Sequence, residues 1–218
     1  MLYAAGRELD QVWLTKQRKM MISVCLFILA VILAVLAGTP SCVLAAPAMG
    51  LSSLGDAILA GYPGCMVTIK DRLTKGGLVF LAAHILYIRA LLLSSGEGVT
   101  ALLPHFALPV FLFFSLTVLH GVLFYYRPCS QVLRLFFAMA FFYLLTAGVH
   151  AAAAITVFGQ FGGGYALSAA GALLFYLSDA ILLAGKYGAL RGKRVSSLIW
   201  ITYVPAQLGV ILGLYLAQ

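Results

Sequence analysis

An all-α, polytopic bundle of seven transmembrane helices is the fold class this sequence predicts, and three observations predict it. Of its 218 residues 63% are hydrophobic and only 9% charged, whereas soluble domains carry about a quarter charged residues. Seven apolar stretches are long enough to cross about 30 Å of hydrocarbon at about 1.5 Å per residue. Lysine and arginine fall in alternate loops, which is how short loops mark the cytosolic face.

The spans are taken in order. The first, residues 20–37, follows Lys16, Arg18 and Lys19 and is longer than the apolar core of a secretory signal, so it reads as a retained helix. The second, 41–61, carries Asp56, and the third, 74–94, carries His84. The fourth, 101–125, contains His105 and His120; the fifth, 131–158, contains His150. An outer turn through Gly162, Gly163 and Gly164 leads to the sixth, 165–186, which carries Asp179. That glycine run lacks the strand, lysine and following Ser or Thr of a phosphate-binding loop. The seventh span, 196–216, contains Tyr203, Pro205 and Gln207. Residues 1–19 mix charges with Leu2, Leu9, Val12, Trp13 and Leu14, which suits a cytosolic interfacial segment. Residues 20–218 read as a single transmembrane helical domain, because no connection has the composition of a polar linker.

Charge placement supports the span count and sets the orientation. The N-terminal segment holds Arg7, Lys16, Arg18 and Lys19, the second loop Lys70, Arg72 and Lys75, the fourth Arg127 with Arg134 beyond it, and the sixth Lys186, Arg191, Lys193 and Arg194. The intervening loops and the C-terminus hold none, so the N-terminus is expected in the cytosol and the C-terminus outside. Arg89 lies near the outer end of its helix, where it can snorkel. The net charge of +8 is thus a topology signal with attraction to anionic lipids, and calls for no nucleic acid. Cys25, Cys42, Cys65 and Cys129 show no CxxC spacing, so no disulfide framework is expected.

Two carboxylates break the apolar pattern. Of six acidic residues, Glu8, Asp10, Asp71 and Glu97 lie in polar stretches, while Asp56 and Asp179 are inside spans. An ionisable group there costs several kcal/mol and by default marks a functional site facing protein or a wet cavity. Counting from the cytosolic ends at about 1.5 Å per residue puts Asp56, Asp179, His84 and Tyr203 at depths of roughly 8 to 17 Å, with Gln207 one turn further in. Groups from four helices therefore share one half of the membrane. His84 and Tyr87 share a face, as do Phe175, Tyr176 and Asp179, and Tyr203 with Gln207. Ser178 adjoins Asp179 and points about 100° away, which makes a Ser-Asp dyad geometrically weak. The same count puts His105 and His150 in the outer half. His84, His120, Asp56 and Asp179 are the residues a metal centre would need, but no HExxH-like spacing supports one, and none is expected.

Four motifs then occur in order: Gly55-Asp56 closing an apolar helix, Ala83-His84-Ile85-Leu86-Tyr87, Gly171 to Ser178-Asp179 through Phe175-Tyr176, and Thr202-Tyr203-Val204-Pro205-Ala206-Gln207. Together they resemble the lysoplasmalogenase (YhhN-like) membrane proteins, from about residue 50 to the C-terminus. Members of that family usually read as eight spans, so against them this chain looks shorter by the first, and Lys19-Met20 stands where the family tends to have Lys-Pro. The resemblance implies hydrolysis of the vinyl ether bond of a choline or ethanolamine lysoplasmalogen to a fatty aldehyde and a glycerophospho-base, without cofactor. Two carboxylates suit that chemistry, one as general acid and one as base or cation stabiliser. On this reading Asp56, Asp179 and His84 are catalytic. Tyr87, Tyr176, Ser178, Tyr203 and Gln207 contact substrate or water, and Lys70, Arg72, Arg191, Lys193 and Arg194 face the phosphate.

Other readings of the same residues are a different intramembrane lipid hydrolase using metal-bound water, a lipid-binding or proton-coupled transporter, and a structural membrane protein whose aspartates pair helices. Lysophospholipid and membrane lipids are the expected partners, in a bacterial plasma membrane or an internal eukaryotic membrane; the oligomeric state is left open.

Overall fold

A computed structural model describes residues 15–62, 72–97, 99–125, 131–186, 190 and 194–218, without the side chains of 99, 124–125 and 131–137. Among these residues there are seven helices and no strand: α1 Lys16–Ala37, α2 Pro40–Ala60, α3 Arg72–Ser94, α4 Val99–Tyr125, α5 Gln131–Phe161, α6 Tyr165–Lys186 and α7 Arg194–Leu216. All seven are long and apolar enough to cross a membrane. The protein is a multi-pass transmembrane helical bundle, as its sequence predicts.

The main shift from the expected spans is at α1, which begins at Lys16 rather than residue 20. Thr15 is extended, and its hydroxyl accepts a hydrogen bond from the Arg18 amide, satisfying an otherwise orphaned donor of the first turn. At the other end of the next helix, Gly61 closes α2 with φ 68°, a left-handed conformation that glycine adopts without penalty.

Helices α1, α2, α3, α5, α6 and α7 pack in that cyclic order, α7 also touching α2 and α3. α4 lies outside this ring along α5 and reaches α6 through Thr117 Oγ1 to Tyr176 OH (3.1 Å) and His120 Nε2, which donates to the Ala180 carbonyl (3.0 Å). Its exterior is apolar, with Leu108, Phe111 and Leu123 about two-thirds exposed, as a lipid-facing surface requires. The polar groups point the other way: Ser23, Ser52, His84, His150 and Gln207 are completely buried. Since lipid tails are as apolar as leucine, burial of hydrocarbon does not by itself drive helices together; close packing and hydrogen bonds must do so.

Both ends of the bundle are tied. Lys16 Nζ donates to the Gly61 carbonyl (3.3 Å) and Lys19 Nζ to Ser196 Oγ (2.8 Å), bringing the starts of α1 and α7 and the end of α2 together at the basic end. Opposite, Tyr165 OH donates to the Ser94 carbonyl (2.7 Å), joining α6 to α3.

Candidate active site

The site grows from two carboxylates on opposite arms of the ring. Asp56, one turn from the end of α2, is buried, and its Oδ2 accepts from Ser23 Oγ of α1 (2.6 Å) and Tyr203 OH of α7 (2.9 Å). Ser53, one turn earlier on α2, donates to the Ser23 carbonyl (2.9 Å) and so holds α1 in place. Tyr203 in turn accepts from Gln207 Nε2 (3.1 Å), and Gln207 Oε1 accepts from Tyr87 OH of α3 (2.8 Å). Every donor in this chain points towards Asp56. The i, i+4 spacing of Tyr203 and Gln207 makes their contact local to α7. Pro205 between them leaves the pair intact, although its missing N–H deprives the Ile201 carbonyl of its helical donor.

Asp179 sits on α6 with different partners. Its Oδ2 lies 3.3 Å from His84 Nε2 of α3, and His84 Nδ1 lies 3.1 Å from His150 Nδ1 of α5. The Tyr143 hydroxyl of α5 approaches Asp179 without reaching hydrogen-bond geometry. Asp56 is within electrostatic range of both Asp179 and the Lys19 ammonium.

Aromatic rings fill the space between the two chains. Phe175, one turn before Asp179, has its ring 4.5 Å from that of His84 and 5.5 Å, edge-on, from that of Tyr203. Phe80 stands edge-on to both Phe175 (6.3 Å) and Tyr203 (6.1 Å). His150 stacks on Tyr87 at 5.5 Å with an interplanar angle of 8°. All helices except α4 thus contribute a side chain to one buried constellation.

An apolar groove leads to it from the basic end, between α2, α3, α5 and α6. Leu59, Thr74, Leu78 and Leu183 line it, and Phe80 and Tyr143 form the wall shared with the polar cluster. Leu78 and Phe142 on its rim are 46% and 61% exposed, so the groove opens sideways, where the bilayer would be.

The family pattern of the YhhN family matches residues 14–214, which takes in all but the last residues of α7. The chain belongs to the YhhN family. No curated protein and no solved structure matches it significantly.

In this YhhN chain the structure brings together Asp56, Asp179, His84, Tyr87, Tyr203 and Gln207, all six named from the sequence. Two others go elsewhere. Tyr176, expected on the Asp179 face, turns outward to Thr117 and stands edge-on to Phe113 at 4.9 Å. One residue of helical rotation decides this, since Phe175 takes the inward position instead. Ser178 donates to the Ile199 carbonyl of α7 (3.2 Å) and serves the α6–α7 contact. Of the basic residues expected at the phosphate, Arg72 and Arg194 are exposed at the basic end. Lys70, Arg191 and Lys193 lie outside the described residues, as do Cys65 and Cys129; Cys25 and Cys42 are free thiols. His120 is spent on α4–α6 packing. Among the described residues, no three His, Cys, Asp or Glu side chains are grouped to hold a metal ion.

His150 is a correction of depth. Counting from residue 131 put it in the outer half of the membrane, away from His84. α5 is 31 residues long, about 46 Å at about 1.5 Å per residue and so longer than the roughly 30 Å of hydrocarbon. A count from its first residue therefore overstates depth, and the 3.1 Å contact between the two Nδ1 atoms sets His150 level with His84. Its face was legible: Tyr143 and His150 are seven residues apart, two helical turns. Ser23, a small polar residue within the first span, was a further unread signal.

Proposed function

We propose that this YhhN protein hydrolyses the vinyl ether bond of lysoplasmalogens, using Asp179 as the proton donor and Asp56 as the ionised partner. The observation that carries this reading is that two buried carboxylates with unlike hydrogen-bond partners stand behind an apolar groove open to the side of the bundle. Asp56 already accepts from two hydroxyls, which favours it as a carboxylate. Asp179 faces an imidazole nitrogen that can take or give a proton.

The reaction adds one water and needs no electron carrier. The Asp179 proton goes to the alkene carbon remote from oxygen, leaving positive charge on the carbon bonded to oxygen. Asp56 stabilises that charge and takes a proton from the attacking water. The resulting hemiacetal collapses as its C–O bond to glycerol breaks: Asp56 passes its proton to the leaving glycerol oxygen and the hemiacetal hydroxyl passes its own to Asp179, which releases fatty aldehyde and glycerophospho-base and restores both carboxyls. The acyl-like chain lies in the groove, past Phe80 and Tyr143, and the phosphate stays at the basic end near Arg72 and Arg194, taken to face the cytosol.

Purified protein incubated with a lysoplasmalogen should release aldehyde, and with the saturated-ether analogue none, because only the alkene accepts a proton at carbon. Equal turnover of both, or of neither, sinks the reaction class. A groove that holds the chain also predicts chain-length selectivity. Leu78→Trp at the rim should lower kcat/KM for a long-chain substrate by roughly 10- to 200-fold, the scale of lost apolar fit in a pocket, and affect a short-chain one far less. A uniform loss across chain lengths would place the chain elsewhere.

A further inference from the structure

His150 is completely buried, and nothing assigned so far uses it. It makes one hydrogen bond, Nδ1 to His84 Nδ1 at 3.1 Å, and its Nε2 has no partner among the described residues. Buried polar atoms are normally paired, and an exception asks for an explanation. Here the imidazole makes its one hydrogen bond to the residue that faces Asp179, while Tyr87 stacks on one face and Phe175 stands edge-on at 6.4 Å.

A contact between two Nδ1 atoms is selective. Two N–H groups would collide and two bare nitrogens would repel, so one ring must carry its proton at Nδ1 and the other must not. His84 has its other nitrogen on Asp179. If Asp179 is a carboxylate, His84 needs its proton at Nε2, its Nδ1 is bare, and His150 must be protonated at Nδ1. If Asp179 is the acid and donates to a bare Nε2, His84 carries its proton at Nδ1 and His150 at Nε2. The two neutral rings hold opposite tautomers in either case, and both reverse when Asp179 gains or loses a proton. With both rings fully buried, solvent does not set the choice.

We propose that His150 is a positioning residue that fixes the tautomer of His84 through the Nδ1–Nδ1 contact and so couples it to the proton on Asp179. The proposal rests on Asp179 being a reacting carboxyl, but its geometric core can be tested without turnover.

Nitrogen-15 NMR of the histidine-labelled full chain in lipid nanodiscs should show one of the two rings protonated at Nδ1 and the other at Nε2, with a scalar coupling across the hydrogen bond. Two rings with the same tautomer would overturn the proposal whatever the activity. His150→Phe keeps a ring against Tyr87 and Phe175 and removes both nitrogens. In that variant kcat for aldehyde release should fall roughly 100-fold, as for a misdirected histidine or a lost acid-base contribution, with KM unchanged; unchanged kcat at unchanged thermal stability overturns it too. Absence of aldehyde release by the wild-type protein would count against the proposed reaction alone, leaving the NMR result to decide this coupling.

Discussion

Asp179→Asn and Asp56→Asn, each folded and in detergent, are expected to lose aldehyde release by roughly 100- to 10,000-fold, the usual contribution of a positioned acid or base. Magnitude separates this from a structural effect. Asparagine keeps the shape and offers both an acceptor oxygen and a donor N–H, so position 179 can still pair with His84 Nε2 in either tautomer, and Ser23 and Tyr203 can still donate to position 56. A hydrogen bond between transmembrane helices is worth on average about 0.6 kcal/mol, while a 100-fold rate loss corresponds to about 2.7 kcal/mol of barrier. Thermal stability should therefore move little while activity collapses. Retention of most activity by either variant would remove that residue from the chemistry. A parallel fall in stability and activity would make the carboxylates helix fasteners.

The other large effect is expected at the α6–α7 contact, where the backbones approach most closely. A Cβ on Gly171 would lie 2.6 Å from the Val210 amide nitrogen and 2.7 Å from the Ala206 carbonyl oxygen, and one on Gly209 would lie 2.8 Å from the Leu167 carbonyl oxygen. Backbone cannot swing aside as a side chain does. Gly171→Leu must therefore part the helices, at a cost of at least the 1–3 kcal/mol typical of overpacking. Separating them also draws Tyr203 and Gln207 away from the Asp179 helix, so the folded fraction should be less active as well. The same substitution at Gly159, which has open space around it, should leave unfolding in detergent unchanged. Equal unfolding temperatures for the two variants would contradict the close approach.

The six convergent residues were legible because each is a polar group in an apolar helix, and a polar group placed in lipid needs a reason. The direction of Tyr176 and Ser178 was not, because adjacent residues on a helix differ by about 100° and an apolar neighbour such as Phe175 can claim the inward slot. Residue counts from a helix end gave sound depths only where the helix ends at the membrane surface. α2, α3, α6 and α7, at 21 to 23 residues, are close to one span in length, whereas α5 at 31 is longer, so a count from its first residue puts His150 too far out.

Composition, hydropathy and the alternation of basic loops by themselves determined that the chain is a multi-pass helical membrane bundle, with the seven spans found among the described residues, and which carboxylates are anomalous within it. These are sums and periodicities along the chain, and they survive without knowledge of what lies beside each helix. Only the tertiary structure decided that Asp56 ends a chain of hydroxyl and amide donors while Asp179 ends a pair of histidines, and that Phe80 and Tyr143 stand between them and a lipid-facing groove. Those facts depend on which faces of α3, α5 and α7 meet. In lipid that choice is made by close backbone packing and the satisfaction of a few buried polar atoms, which a hydropathy pattern does not record.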